Sequence, residues 1–266
     1  MTDLVSVAVD GDVARVTLDN PGMRNALTAE VAEGLTAAME TVADSDARCV
    51  VVAGNGPAFC AGGDVNAMAE GLDGADAEGR DPEDARVAVE RTASAVTAVA
   101  NCELPTVAAV QGAAYGAGAA LAIACDVVVA SDEATINFGF RQVGLAVDSG
   151  VSYHLPRIVG ESTAKALVFT GETLDAQRAA DLGLFNRVVR EDAFDAELDA
   201  FVERIASGPT AALTASKRLI EGGHRRSLSE AVAAETDAQV EMVGTADHAE
   251  GVRAFFEGRD PAFEGE

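Results

Sequence analysis

Gln111–Asp126, QGAAYGAGAALAIACD, holds three glycines and seven alanines among its sixteen residues and no charge before Asp126. Apolar, β-branched runs flank it, TVAAV before it and VVVA after it. Residues this small either let two backbones pack closely or leave main-chain N–H groups open to a ligand. The surrounding pattern predicts a buried strand, a glycine-rich turn and a helix, followed by another strand.

The same order of elements extends upstream. Leu4–Val9 and Val13–Leu18 alternate in polarity around DGD and predict a β-hairpin. Thr28 is placed to cap a helix over Glu30–Ala43, and Arg48–Gly54 predicts a buried strand. Strand, turn and helix thus recur about every 50 residues, which indicates an α/β (α+β) fold built from repeated units.

Two segments depart from this repeated order of strand, turn and helix. Residues 66–86 are acidic and rich in glycine, so we expect a mobile loop there, leading into a helix over residues 85–100. From Asp192 onward the sequence predicts almost only helices. We therefore divide the chain into a core, 1–194, and a helical C-terminal segment, 195–266, that packs on the core or on a neighbouring subunit.

Composition restricts the class of protein. The chain has 266 residues, is 48% hydrophobic, and carries 44 acidic against 19 basic residues for a net charge of −25. The acids are spread over every segment, so we interpret them as a solvated surface suited to a high-salt cytosol rather than a docking face. Nucleic acid is not expected as a partner, because its phosphates require a basic face.

The sequence also bears on location and cofactors. It has no unbroken apolar run of about 18 residues, and its N-terminus alternates like a strand, so we expect a cytoplasmic protein without membrane contact or signal peptide. Its four cysteines form no CxxC pair, which indicates buried thiols and no metal site. Gly54–Gly56 lacks the third glycine of a dinucleotide motif, and no P-loop sequence occurs.

Six motifs in order carry a resemblance over essentially the whole chain: NPGMRNAL, AFCAGGDV, LPTVAAVQGAAYGAGAALAIACDVVVAS, LPRIVG, FTGETLDAQRAADLGLFNRVV and EGVRAFFEGRDPAF. Together they resemble the crotonase superfamily of enoyl-CoA hydratases and isomerases. The resemblance implies a spiral of ββα units and a helical C-terminal trimerisation segment, giving a homotrimer or a hexamer. It also implies a coenzyme A thioester as substrate, with no tightly bound cofactor.

The resemblance gives the two glycine-rich turns a role. Chemistry beside a thioester places negative charge on its carbonyl oxygen, and two fixed backbone N–H donors stabilise that charge. By position in the motifs, these donors are the N–H groups of Gly63 and Ala117. Ala117 falls in the first turn of a helix, whose N-terminus adds positive potential.

The acids of the family's hydratases are missing here. The pattern implies one glutamate at Ala120 and a second at or next to Phe140, and neither residue can move a proton. Asp148 remains, in a stretch similar to that of single-carboxylate isomerases such as the ring-epoxide isomerase of phenylacetate degradation. Val147 and Val151 depart from that pattern. Without the resemblance, Asp148 would be interpreted as a turn residue.

The resemblance also implies contacts to coenzyme A. It places Arg24 near the nucleotide phosphates and Phe255 near the adenine. Gly258 stands where the family has a lysine, so Arg259 or Lys217 is the candidate to replace it. The other residues expected to contact the substrate are Ala61, Gly62, Asp64, Tyr115, Gly116 and Phe140, of which Asp64 also fits a helix cap and Tyr115 a core aromatic.

Three functions stay open at this point. The leading interpretation is an acyl-CoA isomerase with Asp148 as its single acid/base. The alternatives are an enoyl-CoA hydratase with an unusual acid arrangement and a non-catalytic acyl-CoA-binding scaffold. A hydrolase triad of Asp148, His154 and Ser149 or Ser152 is disfavoured, because no GxSxG elbow occurs.

Overall fold

The computed structural model describes residues 3–73 and 82–266. Its ten strands in this part of the chain are β1 (Val5–Asp10), β2 (Val13–Leu18), β3 (Cys49–Gly54), β4 (Ala58–Cys60), β5 (Thr106–Val110), β6 (Ala113–Tyr115), β7 (Val127–Ser131), β8 (Thr135–Asn137), β9 (Thr173–Asp175) and β10 (Arg187–Val189).

Eleven α-helices lie in the same part of the chain. They are α1 (Ala29–Ala43), α2 (Val65–Asp73), α3 (Pro82–Ala100), α4 (Ala117–Ala124), α5 (Val151–Val159), α6 (Glu161–Thr170), α7 (Ala176–Asp181), α8 (Phe194–Ala206), α9 (Thr210–Gly223), α10 (Leu228–Val243) and α11 (Ala246–Glu257).

The strands form two sheets that are filled alternately. The larger has the order β1-β2-β3-β5-β7-β10 and the smaller the order β4-β6-β8-β9. β1–β2 and β8–β9 are antiparallel, and all other pairs are parallel. From β3 to β8, each pass of the chain thus adds one strand to the larger sheet, one strand to the smaller sheet and then one or two helices. This is the expected spiral of ββα units, so the predicted fold class is confirmed.

Local signals account for the first elements. Asp10 pairs with Val13, so β1 and β2 are joined by a two-residue turn in which Gly11 has a φ of 55°. The Thr28 hydroxyl accepts a hydrogen bond from the N–H of Val31 at 3.2 Å and caps α1. The predicted hairpin and cap are both confirmed.

The loop expected over residues 66–86 is wrong in part. α2 continues to Asp73 and α3 begins at Pro82, while residues 74–81 lie outside the described chain. Asp64 starts α2 by accepting a hydrogen bond from the N–H of Ala67 at 3.0 Å. Proline at the first position of α3, followed by Glu83, suits a helix N-terminus. These short-range signals outweigh the glycine-rich composition.

The glycine- and alanine-rich stretch lies at the centre of the core. All eight residues of α4 are buried. A Cβ atom on Gly118 would lie 2.1 Å from the carbonyl oxygen of Cys60, so only glycine lets α4 approach β4 this closely. Close packing therefore explains the small residues from Gly118 onward.

The outer face of the larger sheet is covered by α8, whose residues Phe194, Leu198 and Val202 pack on Val51 and Val107. The helical segment predicted from residue 195 thus begins with a helix that packs on the core. None of the described helices has both the length and the apolar character needed to cross a membrane.

Arg48 connects the core to the C-terminal segment. Its guanidinium donates hydrogen bonds to the Thr210 hydroxyl at 2.7 Å, to the Phe263 carbonyl at 3.1 Å and to the Gly208 carbonyl at 2.5 Å. The buried Asp247 carboxylate fixes the same tail by accepting from the N–H groups of residues 264 and 265.

All four cysteines are free thiols, of which Cys49, Cys60 and Cys125 are buried and Cys102 is half-buried. Burial raises the pKa of the Cys49 and Cys60 thiols to about 12. These thiols are therefore protonated at neutral pH, and their role is in packing.

Candidate active site

A cavity of about 400 Å³ opens between α2, α3 and a 3-10 turn over Gly139–Val143. Nine residues expected at the site line it together, although they are spread over the chain: Ala61, Gly62, Gly63, Asp64, Tyr115, Gly116, Ala117, Phe140 and Asp148. The side chain of Tyr115 is fixed by a hydrogen bond of 3.1 Å between its hydroxyl and that of Thr135.

The two glycine-rich turns meet backbone to backbone at this cavity. Gly62 has a φ of 101°, and a Cβ atom there would lie 2.7 Å from the Tyr115 carbonyl oxygen. Gly116 has a φ of 53°, and a Cβ atom there would lie 4.0 Å from the Cα of Gly62. The N–H of Leu27 donates to the Gly62 carbonyl at 2.7 Å and fixes the first turn. Glycine is required at both positions.

Two backbone N–H groups at this contact make no hydrogen bond within the described chain. They are the N–H of Gly63 and that of Ala117, the first residue of α4. The N–H of Gly116, in contrast, donates to the Asn137 carbonyl at 2.8 Å. Asn137 is itself held, because its amide donates to the Gly171 carbonyl at 2.9 Å. Two unoccupied donors at a helix N-terminus form a site suited to an anionic oxygen.

Asp148 reaches the same cavity from a tight turn before α5. The N–H of Val151 donates to the Asp148 carbonyl at 3.0 Å, while Ser149 and Gly150 have φ values of 49° and 82°. The carboxylate Oδ1 is buried without a hydrogen-bond partner. Burial raises the pKa of Asp148, and the Ser149 hydroxyl partly opposes that rise. Burial thus favours the protonated form of this carboxyl group more than water does.

Asp64 is the other carboxylate that lines the cavity among the described residues, and it has a different environment. It is engaged with the N–H of Ala67 at the start of α2. The position where a hydratase glutamate is implied is occupied by Ala120, which is 1% exposed. Phe140, near the second such position, is buried as well. One available carboxylate therefore remains at the cavity, that of Asp148.

Several lining residues were not foreseen. Arg91 and Thr92 come from α3, Met68 from α2, and Gln142 from the turn after β8. The helical pattern over residues 85–100 predicted α3 but not which face would meet the cavity. Gln142 lies two residues beyond Phe140 in a stretch that the sequence had already singled out, and its amide cannot transfer a proton.

Arg24 lies beside the cavity wall. Its carbonyl accepts a hydrogen bond from the N–H of Ala61 at 2.9 Å, and its side chain is exposed. No ion pair of Arg24 occurs in the described part of the chain. Its charge is thus available to an anionic group of a ligand.

The structure does not bring Lys217 to this cavity. Its Nζ atom lies 2.8 Å from Oδ2 of Asp126 and 3.1 Å from the Leu104 carbonyl oxygen, and its side chain is 10% exposed. The same carboxylate oxygen accepts from the N–H and hydroxyl of Thr106. A lysine that is largely buried and held by these two partners does not reach a phosphate at this cavity.

Phe255 and Arg259 also lie apart from Asp148. Phe255 lines a separate cavity of about 790 Å³ among α9, α10 and α11 and is 81% exposed. Arg259 is engaged with Glu250 and Glu257, at 2.6 Å and 2.7 Å. These ion pairs raise the pKa of Arg259 and lower that of Glu250 to about 2. Within one chain, neither residue reaches the cavity.

His154 does not complete a hydrolase triad. It forms an edge contact with the Tyr153 ring at 5.1 Å, and burial lowers its pKa. No hydrogen bond joins it to Asp148 or to Ser149 within the described chain. His154 is accordingly a packing residue of α5.

The alternating two-sheet spiral with its C-terminal helices is the architecture of the crotonase type. A family model described as enoyl-CoA hydratase/isomerase matches residues 9–266. The chain therefore belongs to the enoyl-CoA hydratase/isomerase family of the crotonase superfamily, a family of enzymes.

Similar proteins of this family include some named hydratase and some named isomerase. A protein of Rhodobacter capsulatus named "probable enoyl-CoA hydratase" is 40% identical over 253 residues, covering 95% of each chain. The 1,2-epoxyphenylacetyl-CoA isomerase of Escherichia coli is 32% identical over 267 residues, covering 100% of each chain. Among solved structures, an enoyl-CoA hydratase from Polaromonas sp. JS666 gives a TM-score of 0.90 at 32% identity, covering 98% of this chain and 99% of that one.

Proposed function

We propose that this enzyme is an acyl-CoA isomerase that moves a double bond from C3=C4 to C2=C3 of an enoyl-CoA thioester. The observation that carries the proposal is the environment of Asp148, which has a buried oxygen without a partner and a raised pKa. The other cavity carboxylate, Asp64, is engaged as a helix cap. One acid/base is sufficient for a 1,3-proton shift, whereas the family's hydratases use two.

The reaction follows from the placement of these groups. The thioester oxygen accepts hydrogen bonds from the N–H groups of Gly63 and Ala117, and each such donor contributes about 3 kcal/mol to stabilising an enolate. Asp148 removes a proton from C2, and the electron pair spreads over the dienolate. The protonated Asp148 then returns the proton to C4. The apolar walls at Phe140 and Leu145 exclude water from the intermediate.

Hydration of 2-enoyl-CoA is the second candidate. It is favoured by the name of the Rhodobacter capsulatus relative and by the Gln142 amide, which can hold a water molecule at the cavity. Against it, the one other acid among the described lining residues, Asp64, is engaged as a helix cap. A non-catalytic acyl-CoA-binding scaffold is the third possibility.

Asp148→Asn separates the three candidates. Both substrates, 3-enoyl-CoA and 2-enoyl-CoA, are assayed through the absorbance of the conjugated thioester. We expect the parent to isomerise 3-enoyl-CoA and the variant to lose about 10³-fold in kcat, because general acid–base catalysis is worth about 10²–10⁴-fold. Asp175→Asn, a helix cap of α7 outside the cavity, is the matched control. Unchanged turnover in Asp148→Asn contradicts the proposal, as does a parent that only hydrates or only binds.

We further propose that the C-terminal helices join subunits into a trimer or a hexamer. Ile220, Phe255 and Phe256 are each more than 70% exposed on α9 and α11, and a single chain leaves them open to water. Phe255 of one chain would then approach the substrate of a neighbour. Analytical ultracentrifugation tests the assembly, and a monomer at micromolar concentration would contradict it.

A further inference from the structure

Two adjacent residues each bury a polar atom without a hydrogen-bond partner. The atoms are Oδ1 of Asp148 and Oγ of Ser149, and among the described residues the one other such side-chain atom is Oγ of Ser131. Buried polar atoms are almost always paired, because an unpaired one keeps its full desolvation cost. Two unpaired atoms in neighbouring residues can satisfy each other.

The backbone holds Ser149 in a conformation that disfavours a side chain. Its φ is 49°, in the left-handed region, and the residue is only 5% exposed. Gly150 and the bond from the Val151 N–H to the Asp148 carbonyl close the turn around it. Glycine would adopt this φ without strain, so the presence of serine indicates a use for its hydroxyl.

The two oxygens of Asp148 have different surroundings. Oδ1 is fully buried, and Asp148 lines the cavity, so Oδ2 is the oxygen presented to a substrate. The Ser149 hydroxyl lies near enough to Asp148 to lower its pKa, although it makes no hydrogen bond of normal geometry. A rotation of the Ser149 side chain that brings its hydroxyl to Oδ1 would satisfy both atoms.

We propose that Ser149 is a positioning residue whose hydroxyl donates to Oδ1 of Asp148, leaving Oδ2 as the single oxygen that carries the proton from C2 to C4. This inference rests on the isomerase function proposed above. In the first half-reaction the C2–H bond breaks, an O–H bond forms at Oδ2, and the electron pair moves to the thioester oxygen. In the second, the O–H bond breaks, C4–H forms, and the pair returns as the C2=C3 double bond.

The other ionisable groups near the site are already engaged. Asp64 caps α2, and Arg91 pairs with Glu33 at 3.0 Å. On α5, His154 has a pKa lowered by burial and by Arg157. Burial and Ser149 alone account for the shift of Asp148. Ser149 is therefore the polar side chain placed to control this carboxylate.

The consequence to measure is the fate of deuterium placed at C2. With Oδ1 held by Ser149, one oxygen takes and returns the same proton, and the label appears at C4. In Ser149→Ala the carboxyl group is free to turn, so we expect most label to be lost to water. We also expect kcat to fall about tenfold, the equivalent of one hydrogen bond, with KM changed less than twofold. The rise of kcat with pH should move to higher pH.

Two variants serve as controls and one as a rescue. Ser131→Ala removes the other unpaired buried hydroxyl, away from the cavity, and should match the parent in label transfer and pH profile. Ser149→Cys keeps a weak hydrogen-bond donor and should restore part of the label transfer and reverse part of the shift in the pH profile. If Ser149→Ala does not fold, Ser149→Gly removes the hydroxyl and the backbone strain together and gives the same comparison.

The inference would be overturned if Ser149→Ala transferred deuterium from C2 to C4 as fully as the parent protein and had the same pH profile of kcat. A parent without isomerase turnover would instead contradict the proposed function. The ¹³C NMR titration of the Asp148 carboxyl, assigned with Asp148→Asn, remains decisive in that case. A midpoint that rises in Ser149→Ala supports the hydrogen bond, and an unchanged midpoint excludes it.

Discussion

Lys217 of α9 and Asp126, the residue directly before β7, form an ion pair of 2.8 Å in which the lysine side chain is 10% exposed. The pair joins the C-terminal helices to the larger sheet. Because the Asp126 carboxylate also accepts from Thr106, removal of the lysine leaves a charged acceptor short of a partner.

We expect Lys217→Met to lower the free energy of unfolding by about 2–4 kcal/mol, because a partly buried carboxylate loses its counter-ion. Urea denaturation followed by circular dichroism measures the change. Lys165→Met alters the only other lysine, in an exposed pair with Glu161, and should cost much less, because exposed ion pairs contribute little to stability. Equal losses in the two variants would contradict a structural role for Lys217. Binding of acyl-CoA by the folded fraction should be unaffected.

Gly118→Ala tests the close approach of α4 to β4. The added Cβ atom would meet the Cys60 carbonyl oxygen at 2.1 Å, and neither backbone can move without disturbing the core. A loss of about 3 kcal/mol or more is expected in thermal unfolding. Gly22→Ala, where a Cβ atom meets nothing within 4 Å, is the matched control. A Gly118→Ala protein as stable as this control would show that the packing is looser than described.

Asp148 should make stability and activity depend on pH in opposite ways. Its pKa is raised in the folded protein, so the protonated form is favoured there and the ionised form costs stability as pH rises through that pKa. Asp148→Asn should therefore raise Tm at neutral pH, and the gain should vanish below the pKa of the unfolded chain. Scanning calorimetry over this pH range provides the measurement. A lower Tm for the variant at neutral pH would show that the ionised carboxylate is instead stabilised.

Arg24 is expected to bind the phosphates of coenzyme A. Arg24→Ala should raise KM for an enoyl-CoA about tenfold with kcat unchanged, the loss of one charge-assisted hydrogen bond. A pantetheine thioester lacks the nucleotide and should show no difference between parent and variant. Were both substrates affected equally, Arg24 would act through the neighbouring wall at Ala61 rather than through phosphate.

Salt should stabilise the protein strongly. With a net charge of −25, repulsion between acids is screened within about 3 Å at 1 M salt but extends to about 30 Å at 0.01 M. We expect Tm to fall on dialysis from molar KCl to low salt, as followed by circular dichroism. Sucrose at equal osmolality separates screening from general solvent effects. A Tm that responds equally to both would argue against charge repulsion.

Short-range signals explain what could be predicted of the fold. Thr28, the turn at Gly11 and the apolar strands act within a few residues of themselves, and each was found as predicted. The cap at Asp64 was predicted correctly, but the extent of α2 was missed because its sequence is acidic and contains glycine. The composition of residues 66–86 predicted a loop where the capping residue predicted a helix, and the structure follows the capping residue as far as Asp73.

Only some residues of the candidate site could be predicted from the sequence. Gly63, Ala117 and Asp148 followed from a motif resemblance, and the structure places them around one cavity. Arg91 and Thr92 could not be foreseen, because α3 reaches the cavity only through tertiary packing. Lys217 was considered as a phosphate ligand for its charge alone, and its burial against Asp126 could not be read from the sequence.

The close approach of the Gly62 and Gly116 backbones bears on which parts of the site a substitution can change. The donors of the site are main-chain atoms, so no exchange of side chains removes them while the two glycines keep the backbones in contact. If these donors bind a thioester oxygen, as proposed, that recognition depends on the backbone contact and not on any side chain. The proposed acid, Asp148, lies on a separate turn, nearly ninety residues from Gly62. Under this proposal, a substitution at position 148 changes the reaction and leaves the donors that bind the thioester in place.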